Sequence, residues 1–238
     1  MALLLDGVPR RAIAVWAVIL LALIAAPFVA GSYILSVLIL VLYFAYVGQA
    51  WNVMMGFAGQ LSLGHSLYVG VGAYVAAAFF VHDGLPPAAG AFLSMAACAI
   101  FGAVIGFLAF RFSISGVYFA LLTIAFAEFT RIGFDHLTWF GASGGLFLPV
   151  SQRTHDDLIN LRGSPAMFYY VSLVLAAAAF VLCRLLLKSK IGYYWLAIRE
   201  DQEAAQSLGI DVFRYKMLAV ILSAAMTALG GVFFAFYY

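Results

Sequence analysis

Long apolar runs broken by short polar stretches organise the whole chain: residues 12–30, 34–50, 66–81, 88–110, 116–134, 166–187 and 217–238. A helix needs roughly 20 predominantly apolar residues to cross a bilayer, so each run predicts a transmembrane span. The expected fold class is all-α, a polytopic transmembrane helix bundle forming a single domain over residues 1–238. Arg10 and Arg11 precede the first run and raise the question of a signal peptide. Phe28, however, stands where a small residue is wanted before a cut after Ala30, so a retained span is expected. The last run stops at Phe236-Tyr237-Tyr238 with no flanking charge, which reads as a truncated span.

Composition supports lipid as the solvent. Apolar residues make up 66% of the chain and charged ones 9%, against about a quarter charged in soluble domains. A chain of 238 residues has too little interior to hide that much apolar surface from water. The formal net charge of +2 is too small to suggest a nucleic-acid partner. Cys98 and Cys183 lie in separate apolar runs, forming neither a disulfide framework nor a metal-ligand spacing. Charge then orients the chain. With the N-terminus cytoplasmic, Arg10, Arg11, Arg111, Lys188, Lys190, Arg199, Arg214 and Lys216 fall inside, and Arg153 and Arg162 fall outside. The expected location is the cytoplasmic (inner) membrane, multi-pass.

Three breaks in the apolar pattern carry candidate chemistry. Residues 135–165 form a long outer segment, where His136 and His155 are isolated and read as solvated. The inner segment, residues 188–216, is the most charged part of the chain. Within it, Trp195 to Leu208 reads as one short amphipathic helix with Leu196, Ala204, Ala205 and Leu208 at its less polar positions. Gly209 is suited to the left-handed conformation that ends a helix, and a second helix then joins the final span. Ala204 and Ala205 leave room for close approach, and Glu203 offers a carboxylate to a basic partner; an ordinary solvated loop has the same amphipathic character. The third break, residues 52–65, mixes Gly56, Gly59 and Gly64 with Gln60, Ser62 and His65. Either it is re-entrant and lines a translocation path, with Gln60, Ser62 and His65 facing water, or it is a tight turn at the inner face. Glu128, deep in its span, is costly unless paired. Arg131 lies three residues on, so the alternatives are an internal ion pair and a role in the pore. Gly102 with Gly106, and the stripe Ser66, Gly70 and Tyr74, read as close helix packing.

Glu203-Ala204-Ala205, followed by three residues and then Gly209, resembles the EAA loop of ABC-importer permeases. The strings Gly56-Phe57-Ala58-Gly59-Gln60-Leu61-Ser62-Leu63-Gly64-His65 and Gly116-Val117-Tyr118-Phe119-Ala120-Leu121-Leu122-Thr123 resemble branched-chain amino-acid importers, the second their M-type inner-membrane permease subunit. The resemblance runs from about residue 40 to the end. It departs from sugar-type permeases, which place a proline where Ala219 to Leu222 has none. The resemblance implies a cytoplasmic coupling-helix hairpin, with Glu203, Ala204, Ala205, Leu208 and Gly209 seated on an ATPase; for a translocation path, the polarity and placement of Gln60, Ser62, His65 and Glu128 make them the candidates. It also implies partners: cytoplasmic ATPase subunits, a second permease subunit and a periplasmic substrate-binding protein. No phosphate-binding loop ending in Gly-Lys-Ser/Thr occurs in the chain, so no cofactor is expected on it and ATP belongs to the partner subunits. No catalytic set is expected. The rival functions are a permease for urea or short amides, and a proton-coupled secondary transporter using Glu128.

Overall fold

Glycine and proline set the limits of the helices. A computed structural model describes residues 10–148 and 156–238; Arg153 and His155 lie outside the described residues. Helix α1 (Arg10–Val29) is followed at once by α2 (Ser32–Asn52), which runs on through a π-helical turn, Val53–Phe57. Helix α3 (Ser66–Asp83) ends at Gly84, whose φ of 64° is the left-handed cap a glycine adopts without strain. Helix α4 (Pro87–Arg111) begins with proline at its first position, where no amide is needed. Helix α5 (Val117–His136) and α6 (Pro165–Leu187) follow. The inner segment carries α7 (Lys190–Glu200) and α8 (Gln202–Ser207), and α9 (Val212–Tyr237) completes the order. Among the described residues no strand occurs, only an isolated bridge between Asp157 and Arg162.

Six helices, α2 with its π turn, α3 to α6 and α9, are long and apolar enough to cross a membrane, and Val18–Val29 in α1 adds a shorter apolar run. The chain is therefore a multi-pass helix bundle. The last helix starts at Val212, ahead of the position 217 expected from hydropathy, because the Asp211 carboxylate accepts from the Arg214 amide at 3.0 Å and caps it there.

Helix α9 is the axis of the bundle. In its most apolar stretch 61% of residues are buried, against 17% for α5, so α5 presents most of its surface outward. Small residues allow the close packing around α9. A Cβ on Gly72 would lie 2.5 Å from the Ala228 carbonyl oxygen, and one on Gly231 would lie 2.1 Å from that of Val69. Gly102 and Gly106 meet Ala224 and Met217 of α9, as the GxxxG spacing predicts. The other small-residue stripe behaves differently. A Cβ on Gly70 would meet nothing within 4 Å, and Ser66, Gly70 and Tyr74 line an open cleft between α3 and α5. The expected close packing is corrected there: small residues on a helix face make a groove when no second helix fills it.

On the other side, α2 packs on α6 through Leu35, Ile39, Tyr43, Phe168 and Tyr169, with Phe233 of α9 closing the cluster. The Tyr169 hydroxyl donates to the Leu23 carbonyl at 2.7 Å and ties α1 to α6. Ahead of α6, Asp157 anchors a turn. A hydrogen bond from the Asn160 side chain at 2.7 Å, with backbone amides of the same turn, holds its carboxyl below the usual range. Ser164 caps α6, its hydroxyl accepting from the Met167 amide at 3.3 Å.

Candidate functional site

The charged hairpin of residues 188–216 is built from two caps and one left-handed glycine. Sequence periodicity predicts one helix from Trp195 to Leu208; the structure breaks it at Asp201 and so corrects that expectation. Asp201 adopts an extended conformation (φ −154°, ψ 111°), and its carboxylate accepts from the amides of Glu203 and Ala204 at 2.9 and 3.0 Å. An aspartate offering that cap competes with helix continuation. Helix α8 closes at Gly209, where φ is +83° and the Ile210 amide donates to the Ala205 carbonyl at 3.1 Å. Of the five predicted hairpin residues, Ala205 alone is buried, against Ile198 and Val212. Glu203, Ala204 and Gly209 are exposed, and Leu208 is 82% exposed. The structure thus brings Glu203, Ala204 and Leu208 to the outer surface of one short element, with an apolar leucine offered to whatever covers it.

Two residues that sequence reasoning did not single out fasten this hairpin to the bundle. Trp195 of α7 is fully buried among Phe57, Ala58, Cys183 and Ala219, and its indole N–H donates to the Tyr215 carbonyl at 2.8 Å. Arg199 donates from Nη1 to the Gly56 carbonyl at 2.7 Å. Its Cγ would lie 3.0 Å from a Cβ on Gly59, whose φ is +69°. Displacing the hairpin therefore pulls directly on the π turn and on the segment after it.

That segment, residues 58–65, climbs back into the bundle. Its start lies beside Arg199 on the hairpin, whereas its end, His65, meets Thr227 midway along α9. Three helices hold it. The Trp51 indole of α2 donates to the Ser62 carbonyl at 2.9 Å. Thr123 of α5 accepts from the Leu63 and Gly64 amides at 3.1 and 3.2 Å. Thr227 lies 2.7 Å from His65 Nε2. Thr227 donates its only proton to the Ser223 carbonyl at 2.8 Å, so His65 Nε2 is the donor to Thr227 and Nδ1 is left as an acceptor. Gly64 permits the approach, since a Cβ there would sit 2.0 Å from the Thr123 carbonyl oxygen.

Residues 52–65 match neither alternative as drawn: the segment runs back among the helices, but its side chains are packed and do not face water. Gln60, Ser62 and His65 are 6%, 1% and 8% exposed. The Gln60 side chain turns back to the Ala58 carbonyl at 2.8 Å. Among the described residues, Ser62 Oγ and His65 Nδ1 are buried polar atoms without a partner, a costly arrangement inside a packed bundle.

Glu128 is separate from these three. It lies on the outward face of α5 with Arg131 and Asp135, the guanidinium bonding Glu128 at 2.6 Å and Asp135 at 2.9 Å. All three side chains are about half exposed or more, at 56%, 61% and 46%. They border the α3–α5 cleft, about 380 Å³, whose walls include Gly64, Val71 and Tyr74. The cleft reaches Gly64 of the re-entrant segment but not Gln60, Ser62 or His65.

Comparison with known proteins agrees with these features. A family profile described as "Branched-chain amino acid transport system / permease component" matches residues 33–238. The high-affinity branched-chain amino acid transport system permease protein LivM of Escherichia coli (strain K12) is 30% identical, over 89% of this chain and 54% of the relative. Its counterpart in Salmonella typhimurium is 29% identical over the same shares. The chain spans about half the length of these curated relatives. No solved structure matches it at a significant level.

Proposed function

Because the chain belongs to the family of branched-chain amino acid transport system permease components, we propose that it is a permease subunit of an ATP-driven importer for branched-chain or related amino acids. The observation that carries the proposal is the inner hairpin. It exposes Glu203 and Ala204 on a six-residue helix and Leu208 at that helix's C-terminal cap, and Arg199 and Trp195 join it to the bundle. An ATPase seated on α8 moves it as a lever. The load passes through Arg199 to Gly56 and the re-entrant segment, and from there to α5 and α9 through Thr123 and Thr227.

In this scheme the N-terminus is cytoplasmic and the protein lies in the inner membrane, as the distribution of lysine and arginine favours. ATP is bound by the partner ATPases. A second permease subunit covers the outward face of α5, where Glu128, Arg131 and Asp135 would otherwise meet lipid at a cost. The substrate arrives from a periplasmic binding protein.

The test is uptake of labelled leucine in proteoliposomes holding the complex with its ATPases, with and without ATP. Glu203→Ala or Gly209→Val is expected to release the ATPase on purification or to hydrolyse ATP without uptake. If both variants transport normally with ATP, the hairpin does not couple. Labelled urea offered in the same assay separates the amide-permease alternative.

A further inference from the structure

Lys216 is a buried cation that the coupling scheme leaves unused. It sits near the start of α9 and is 5% exposed. Its ammonium donates to the Gln202 side-chain oxygen and lies 5.4 Å from the centre of the Phe110 ring. An ammonium has three donors, so these two contacts leave one N–H over. Among the described residues no carboxylate pairs with it. A desolvated charge without a counter-charge is strongly unfavourable, and an anion supplied from outside the chain removes that cost.

The space for one is present. Lys216 lines a pocket of about 240 Å³ whose polar groups are Ser113, Ser115, Gln202 and Gln206. A second, apolar groove of about 730 Å³ shares Ser113, Ile114 and Ser115 with it and runs along α5 past Tyr118, Leu121 and Ala125. From Val117 to Ala125 the helix rises about 12 Å. The groove is open, with Phe112 70%, Tyr118 76% and Leu121 56% exposed. Arg111, at the end of α4, is exposed next to Phe112 in the chain.

We propose that the pocket and groove together hold one anionic phospholipid of the inner leaflet, with its phosphate on the Lys216 ammonium and an acyl chain along α5. A cationic pocket between membrane helices at the cytoplasmic side is a recurrent setting for anionic headgroups. The joined apolar groove selects a lipid over a free anion. The inner-leaflet placement rests on the orientation proposed above. Gln202 is the first residue of α8, so the headgroup holds the coupling helix at its N-terminal end. Anionic lipid then acts as a structural ligand of the hairpin.

The complex purified with its partner subunits is delipidated, and binding of phosphatidylglycerol and phosphatidylcholine is measured by native mass spectrometry, without ATP or substrate. The wild type is expected to bind phosphatidylglycerol at least about tenfold more tightly than phosphatidylcholine, whose phosphate charge is offset by a choline cation that Lys216 repels. Lys216→Gln is expected to abolish that preference. Ala125→Trp, on the exposed wall of the groove, is expected to weaken phosphatidylglycerol without disturbing the fold, and carries the test alone if the lysine variant fails to assemble. Millimolar inorganic phosphate is expected not to displace the lipid. Equal binding of the two lipids, an unchanged Lys216→Gln, or displacement by phosphate with Ala125→Trp unaffected overturns the proposal; the last result assigns the pocket to a free anion. Failure of the transporter reading leaves lipid binding intact, and failure of the lipid site leaves ATP-driven leucine uptake intact.

Discussion

Arg199→Met tests whether the hairpin acts through its link to Gly56. The substitution keeps the aliphatic stem that packs near Gly59 and removes the donor to the Gly56 carbonyl at 2.7 Å. A hydrogen bond from a charged donor contributes about 1.5–3 kcal/mol. The Arg199 side chain is 42% exposed and also bonds Glu200 at 2.6 Å, so solvent screening reduces the figure to about 1 kcal/mol. That is a shift of about fivefold toward a detached hairpin. Trp195 remains buried with its hydrogen bond to Tyr215, so the fold and ATPase attachment are expected to survive. In proteoliposomes the expected result is near-normal ATP hydrolysis with leucine uptake per ATP lowered by up to about fivefold. Arg199→Lys, which restores a donor, is expected to recover part of the loss. Wild-type uptake per ATP in Arg199→Met would refute the lever through Gly56.

Three further outcomes follow from the geometry. Gly72→Ala forces a methyl against the Ala228 carbonyl, and overpacking of about 1–3 kcal/mol outweighs the roughly 1 kcal/mol gain in helix propensity; Gly70→Ala, facing open space, keeps only the gain. Thermal unfolding in detergent is expected to place the two variants on opposite sides of wild type, and equal midpoints would contradict the α3–α9 packing. Glu128→Gln breaks an ion pair with Arg131 and is expected to lower uptake while leaving it ATP-driven; uptake that follows a proton gradient without ATPase would favour the secondary-transporter alternative. The lowered pKa of Asp157, caused first by its hydrogen bond from Asn160, means the outer turn is stabilised above the ordinary carboxylate pKa. That contribution is lost as pH falls through the lowered native value, so protease cleavage of the turn is expected to rise only in strong acid, and Asp157→Asn to remove the dependence.

Apolar run length made the bundle legible, because lipid demands about the same span of every crossing helix. Single residues with a forced local geometry were legible too: Gly209 ends its helix in the left-handed conformation, and the GxxxG pair Gly102 and Gly106 meets α9. What stayed hidden depends on partners distant in sequence. Ser66, Gly70 and Tyr74 have the same small-residue spacing as a packing face, yet whether a helix fills that face is decided by α5, which leaves a cleft. Asp201 lies inside an amphipathic pattern and gave no sign of a break, since a cap and a helix-interior position share the same periodicity. The role of Arg199 required Gly56, which is 143 positions away.

The re-entrant segment joins these two kinds of information. Glycine and polar residues marked residues 52–65 as unusual, but the alternative with polar side chains turned toward a water-filled path is not how the bundle uses them. The backbone of the segment is what the neighbours grip: Trp51 takes the Ser62 carbonyl, Thr123 takes two amides, and Arg199 takes the Gly56 carbonyl. Backbone groups at membrane depth must be satisfied by protein when lipid offers nothing. The part of the segment beyond the π turn lacks helical hydrogen bonds and therefore has to be held from several helices at once. That requirement is itself the reason it suits transmission. A segment gripped by α2, α5, α7 and α9 cannot move unless all four adjust, and in the proposed scheme a hairpin bonded to its first residues would move it at one end.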